Sequence, residues 1–266
     1  MSSLEKDAAR PLIKVMGERN SGTNFLERVL RDNFDVELAA NAGGVPKELE
    51  AAIPGRFEGR WTSRRAAREA VQDQMHDQQL PANGGWKHAA ATSRLITEFA
   101  RPRSATIIFL VRHPVSWAQS MHRNPFHGLG HIPKSFEQFL KTPWVLVGRD
   151  ELGMGTVPSI LHLLKAKVNS YAECAEQNRD CHVVRYEDVL KDPQGALGGL
   201  GLPDPLRGSI SLPEENARSF GRNRLKGSDY AKKATDIGFH SLTPEIRALF
   251  AKALDRSAAA EMYASA

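Results

Sequence analysis

The chain has 266 residues, 41% of them hydrophobic and 25% charged, a composition and length that bury a core without disulfide or metal staples. A net charge of +5 and a pI near 9.3 favour anionic ligands only weakly. The lysines and arginines form no tract of the kind that binds nucleic acid, and the denser stretch from Arg56 to Arg68 also carries Glu58.

The two cysteines, Cys174 and Cys181, match no zinc spacing and read as reduced thiols. Residues 1–11 have no apolar h-region, and no apolar run reaches the length of a membrane span. The expectation is a cytoplasmic protein with no integral membrane segment and no nucleic-acid partner.

Leu12–Met16 is a short apolar run ending at a glycine turn, which predicts a strand. From Thr23 to about Asn33 the apolar residues Phe25, Leu26, Val29 and Leu30 have helical spacing. Residues 36–60 look irregular, Ser63 to about Gln78 reads as a polar helix, and Pro81–Gly85 as a turn. Trp86–Ala91 predicts a short strand, and Ser93–Ala100 a helix.

Ala105–Val111 is an unbroken apolar run, as expected of a parallel strand covered on both faces. Pro114 opens the next helix, which Val115–Arg123 continues. A Gly-, Pro- and His-rich loop follows over Asn124–Pro133. Ser135–Lys141 and Val157–Gln177 are predicted helices, Cys181–Tyr186 a strand, and Glu187–Leu190 a helical turn. Thr243 caps a final helix to about Arg256, with Pro244 at its first position. Strands alternating with helices, without repeats or a long linker, predict one α/β domain over residues 1–266: three layers around a central, mostly parallel sheet with a P-loop-like core. The variable regions are about 36–82 and 124–156.

Gly17 and Gly22 have the G-x-x-x-x-G spacing of a phosphate loop between a strand and a helix. Loop amides and a helix N-terminus converge on an anion there. The lysine expected at position 23 is absent; Thr23 and Asn24 stand in its place and can donate to phosphate oxygens. A metal-dependent kinase or NTPase needs that lysine on its phosphates and an acidic strand end for its metal. Neither is present, so a metal-dependent kinase or NTPase is disfavoured.

A second anion site follows from Arg112 at the carboxyl end of the 105–111 strand, where open α/β sheets bind ligands. Its guanidinium can fork onto a phosphate, with Ser116 and Ser120 one turn apart on the following helix.

Together these segments resemble the PAPS-dependent sulfotransferases, where PAPS is 3′-phosphoadenosine 5′-phosphosulfate. Arg19-Asn-Ser-Gly-Thr-Asn-Phe25 is similar to the family's loop Pro-Lys-Ser-Gly-Thr-Thr-Trp. Arg112 and Ser120 have the family's spacing of eight residues between a strand-end Arg and a Ser. Val184-Arg-Tyr-Glu-Asp-Val-Leu-Lys-Asp-Pro193 resembles a later Tyr-Glu-Asp-Leu…Asp-Pro signature. The matches occur in the family's order over about residues 12–193.

The resemblance implies sulfuryl transfer from PAPS, without metal, to a hydroxyl or amine of a small-molecule or saccharide acceptor. Asn20, Ser21, Gly22, Thr23 and Asn24 would hold the 5′-phosphate, and Arg112 and Ser120 the 3′-phosphate. Phe25 would stack on adenine, and Tyr186 would touch it. The stretch Arg222–Lys232 loosely resembles a loop that closes over the cofactor, with Lys226 and Gly227 on the 3′-phosphate.

One departure concerns the family's catalytic lysine, whose place Asn20 takes. Arg19, one residue earlier, is the first candidate for the missing charge and Lys87 the second. A base His in the family lies between the two phosphate motifs. His88, 24 residues before Arg112, fits that position. His113, His122, His127 and His131 compete, with His113 also suited to cap the helix. Trp61, Phe126 and Trp144 are candidates for lining an acceptor pocket or for filling core, and a carbohydrate or glycolipid is the expected acceptor. A non-catalytic relative that binds adenosine 3′,5′-bisphosphate (PAP) is the alternative reading, supported by Asn20, with a P-loop kinase behind it.

Overall fold

The computed structural model describes residues 10–42, 45, 47–53, 56–57, 60–61, 64–125, 132–213, 215–217, 222–224, 229, 232, 238 and 241–264. Its centre is a four-stranded parallel sheet. Strand β1 (Leu12–Met16) pairs on one side with β2 (Glu37–Leu38), in register Leu12 to Glu37. Helix α1 (Thr23–Asn33) connects these two strands. A short helix α2 (Lys47–Ala52), a hairpin of β3 (Arg56–Phe57) with β4 (Arg60–Trp61) and the long α3 (Arg64–Asn83) occupy the first variable region.

Strand β5 (Thr106–Val111) lies on the other side of β1, pairing Val15 with Ile108. A π-helical turn, Leu95–Ala100, runs into α4 (Arg101–Arg103) just before it. Beyond β5 come α5 (Pro114–Arg123), α6 (Phe136–Lys141), a hairpin of β6 (Trp144–Val145) with β7 (Thr156–Val157), and α7 (Ile160–Gln177). The outer sheet strand β8 (Cys181–Arg185) pairs with β5, Phe109 opposite Val183. The order is therefore β2-β1-β5-β8. Helices α8 (Tyr186–Lys191) and α9 (Pro193–Leu197) follow directly, then the pair β9 (Glu215–Ala217) and β10 (Arg222–Arg224), and α10 (Pro244–Leu254) and α11 (Ala258–Ala264) close the fold.

Strand alternation divides the core in two. Ile107, Phe109 and Val111 face a cluster that holds Trp117 of α5 and Leu163, Val168 and Tyr171 of α7. Ile108 and Leu110 face the opposite way, onto Phe25, Leu26 and Val29 of α1 and Val189 of α8. Side chains this deeply buried stabilise the fold by about 1.5–3 kcal/mol each. Covering both faces with helices explains why β5 reads as a continuous apolar run.

Several elements differ from the sequence reading: residues 36–60, read as irregular, hold β2, α2 and β3, and Val157 lies in β7 rather than in the helix after it. Pro81 lies inside α3 rather than in a turn, and the chain reverses only at Gly84 and Gly85, whose φ values are 75° and 64°. Trp86–Ala91 is a series of turns, not a strand. Its backbone bonds go to separate places: the Lys87 carbonyl accepts from Gly17, and the Ala90 N–H donates to the Asp150 carbonyl. The helix expected over Ser93–Ala100 forms, and its Leu95–Ala100 part is π-helical. Thr243 caps α10 as expected, its hydroxyl accepting from the Ile246 N–H.

Candidate active site

The loop between β1 and α1 is shaped by two left-handed residues, Asn20 at φ 62° and Gly22 at φ 102°. A Cβ at Gly22 would lie 2.7 Å from the Tyr186 ring, so only glycine fits there. Thr23 begins α1 and is buried, as is Ser21. The Ser21 hydroxyl oxygen makes no hydrogen bond among the described residues. A buried hydroxyl in that state beside a helix N-terminus suits a phosphate oxygen.

Arg112 follows the carboxyl end of β5 and reaches the same loop. Its Nη1 donates to the Asn20 carbonyl at 3.1 Å, and its Cζ stands 5.3 Å from the centre of the Tyr186 ring. Its Nε donates to Ser116 Oγ at 3.1 Å. The serine bonded to Arg112 is therefore Ser116, not Ser120. Ser116 is also held by the His113 carbonyl and by Glu187, whereas Ser120 stands half-buried one turn further along α5. The Asn20 amide donates to Met121 Sδ at 3.1 Å and to the Asn124 carbonyl at 3.2 Å, which pins the loop to the end of α5.

Phe25 requires a correction. It is 3% exposed and its ring meets Tyr186 edge-on at 5.6 Å, inside the core between α1 and α8. So buried a ring offers no open face for a base to stack on. Tyr186 is itself buried, beneath Gly22. Trp144 likewise fills core, against Phe139. Lys226, Gly227, Phe126, His127 and His131 lie outside the described residues, as does the side chain of Trp61.

The two cations proposed for the missing lysine occupy different places. Arg19 is 4% exposed, with its guanidinium carbon 4.4 Å from the Trp86 ring. Burial lowers its pKa to about 10, with Glu18 and Asp150 opposing the shift. Lys87 instead lies along the first turn of α1. Its Nζ donates to Asn24 Oδ1 at 2.5 Å and to Glu27 Oε1 at 3.0 Å.

His88 adjoins Lys87 and is fixed to the loop. Its Nδ1 stands 2.6 Å from the Gly17 carbonyl oxygen, and its ring meets Trp86 edge-on at 5.2 Å. A carbonyl only accepts, so Nδ1 carries the hydrogen and the neutral ring keeps its lone pair on Nε2. Burial first, and the charge of Arg19 next, push the His88 pKa well below the usual imidazole range. His113 has another duty: its Nδ1 accepts from the Val115 N–H and caps α5. His122 donates from Nε2 to the Pro133 carbonyl at 3.0 Å.

His76, Asp77 and Glu151 converge closely enough to suggest a metal site. Their hydrogen bonds argue otherwise. His76 Nδ1 accepts from the Trp86 N–H at 2.8 Å, so Nε2 holds the proton and donates to Glu151 at 2.9 Å. Asp77 is paired with Arg94. With Nε2 protonated, the imidazole has no lone pair left to ligate.

No protein-family model matches the chain, and no curated protein matches it in sequence. Among solved structures it is similar to mouse sulfotransferase SULT7A1 complexed with PAP. The likeness covers 97% of this chain and 90% of that one, with a TM-score of 0.50 and 18% sequence identity. The chain thus has the sulfotransferase fold, a central parallel sheet flanked by helices.

Proposed function

We propose that this protein is a PAPS-dependent sulfotransferase acting on a hydroxyl or amine. The observation that carries the reading is the bond between the Arg112 guanidinium and the Asn20 carbonyl, which joins two anion cradles at the carboxyl ends of adjacent strands. Such a pair suits a nucleotide with phosphates at both ends. The neighbour of the same fold, described as complexed with PAP, supports the same ligand.

Ser21, Gly22, Thr23 and the N-terminus of α1 would hold the 5′-phosphate, with Asn24 beside them. Arg112 and Ser120 would hold the 3′-phosphate. PAPS, when bound, supplies the sulfuryl group and a phosphate leaving group. Lys87, 2.5 Å from Asn24, is the cation that best meets the charge developing on the 5′ side. Arg19 faces the half-buried Trp86 instead. His88 would take the acceptor's proton on Nε2, while Gly17 keeps the ring oriented.

The acceptor class we favour is a carbohydrate or glycolipid, in a cytoplasmic setting. Among the described residues no helix is long and apolar enough to cross a membrane. Asn20, in the position where the family carries lysine, favours a second reading: a binding protein for PAP without turnover.

Calorimetry with PAP and with AMP tests the ligand. PAP should bind at least about tenfold more tightly, and Arg112→Ala should abolish the difference. Equal affinity for the two nucleotides overturns the reading. A turnover assay with PAPS and a panel of sugar, glycolipid and amine acceptors then separates enzyme from binding protein.

A further inference from the structure

A lysine from the middle of α7 connects the phosphate loop to the candidate base. Lys167 is fully buried. Its Nζ donates to the His88 carbonyl at 2.6 Å and to Asp150 Oδ1 at 2.5 Å, and it pairs with Glu18 Oε2 at 2.5 Å. The three partners come from three segments: Glu18 from the loop after β1, His88 from the turns after α3, and Asp150 from the turn before β7.

Both carboxylates are held a second time. Glu18 Oε1 accepts from the Arg19 N–H at 2.8 Å, and Asp150 Oδ2 from the Val147 N–H at 2.9 Å. Burial alone would raise the Asp150 pKa, but the Lys167 ammonium holds it below the usual carboxylate range. A buried ionic group of this kind is not needed for stability, since well-packed apolar residues often serve as well or better. Its geometry gives it another use. Glu18 of the loop and the backbone carbonyl of the candidate base, His88, share one ammonium.

We propose that Lys167 is a positioning residue for the transfer reaction, its ammonium clamping the phosphate loop through Glu18 and the candidate base through the His88 carbonyl. The proposal rests on the sulfotransferase reading. The clamp sets the separation between donor and acceptor sides, where an error of about 1 Å costs on the order of a hundredfold in rate. It also adds a charge. His88 faces Arg19 from the loop, Lys87 from its own turn and Lys167 from α7, and Glu18 and Asp150 pair with the Lys167 ammonium. These cations favour the neutral imidazole that a proton acceptor requires.

Two measurements test the clamp in the full-length protein, each on the wild type, on Lys167→Met, and on Lys167→Gln combined with Asp150→Asn. The double variant removes equal and opposite charges and decides the matter if the single one does not fold. In the first, NMR titration of the His88 ring without ligand should move upward in Lys167→Met, which removes one of the cations facing the ring, and should move less in the double variant, whose two charge changes oppose each other. In the second, calorimetry with PAP should give binding weaker by about tenfold or more. PAP affinity within roughly twofold of wild type in either folded variant, or an unmoved His88 titration in Lys167→Met, overturns the proposal. If the wild type shows no preference for PAP over AMP, the sulfotransferase reading fails instead, and the titration alone decides whether Lys167 acts on His88.

Discussion

The Nδ1 of His88 stands 2.6 Å from the carbonyl oxygen of Gly17, so the glycine loop after β1 selects which imidazole nitrogen carries the hydrogen and leaves the lone pair on Nε2. With its pKa held well below the usual range, the ring stays neutral through mildly acidic conditions. Turnover with an acceptor found by the panel should therefore remain flat between about pH 8 and about pH 6. His88→Gln should reduce kcat by about a hundredfold or more and leave PAP affinity unchanged. A wild-type rate falling with an apparent pKa near 6.5, or full activity in the variant, contradicts the role.

Lys87 and Arg19 separate by site. Lys87→Met removes the cation beside Asn24 and should lower kcat by about two to three orders of magnitude, with a PAP affinity only a few-fold weaker. Arg19→Ala breaks the packing on Trp86 and should lower the melting temperature, at a cost of about 2–4 kcal/mol. Steady-state kinetics beside thermal unfolding distinguish the two. The assignment of Lys87 is wrong if Arg19→Ala, while remaining folded, loses more turnover than Lys87→Met.

The two serines of α5 give a similar contrast. Ser116→Ala removes the hydroxyl that Arg112 and Glu187 share and should cost about 1–2 kcal/mol of stability. Ser120→Ala, at a half-buried position, should leave the melting temperature within about 1 °C and reduce the preference for PAP over AMP. Calorimetry and thermal unfolding on both variants check this. The opposite pattern would give the structural role to Ser120 and the ligand contact to Ser116.

His113 makes stability depend on pH. Burial, then Arg185 and Arg112, lower its pKa from 6.5 to about 4. The unfolded chain takes up a proton below 6.5 that the folded protein refuses. Stability is therefore fully present above that pH and declines as pH falls toward 4. His113→Asn keeps a capping side chain for the Val115 N–H while removing the titrating ring. The variant should match wild type near neutral pH in thermal unfolding and lose less stability near about pH 5. Parallel curves for the two proteins would exclude His113 as the source.

What the sequence by itself determined is local and periodic. The ends of β1 and α1, the apolar run of β5, Pro114 opening α5 and the Thr243 cap are each set by neighbours a few residues away, through side-chain period, glycine conformation and N-cap chemistry. The loop glycines and Arg112 were legible for the same reason. Tertiary structure decided the partnerships. It turned Trp86–Ala91 away from the sheet, gave Arg112 to Ser116, sank Phe25 into the core, packed Arg19 on Trp86, set Lys87 against Asn24 and brought Lys167 to Glu18 and His88. Residues such as Glu18 and Lys167 meet only because the parallel sheet and α7 pack together, and nothing in the local chemistry of either segment names its partner. A buried charge is stable only with an opposite one beside it, but that rule requires a partner without saying where along the chain it comes from.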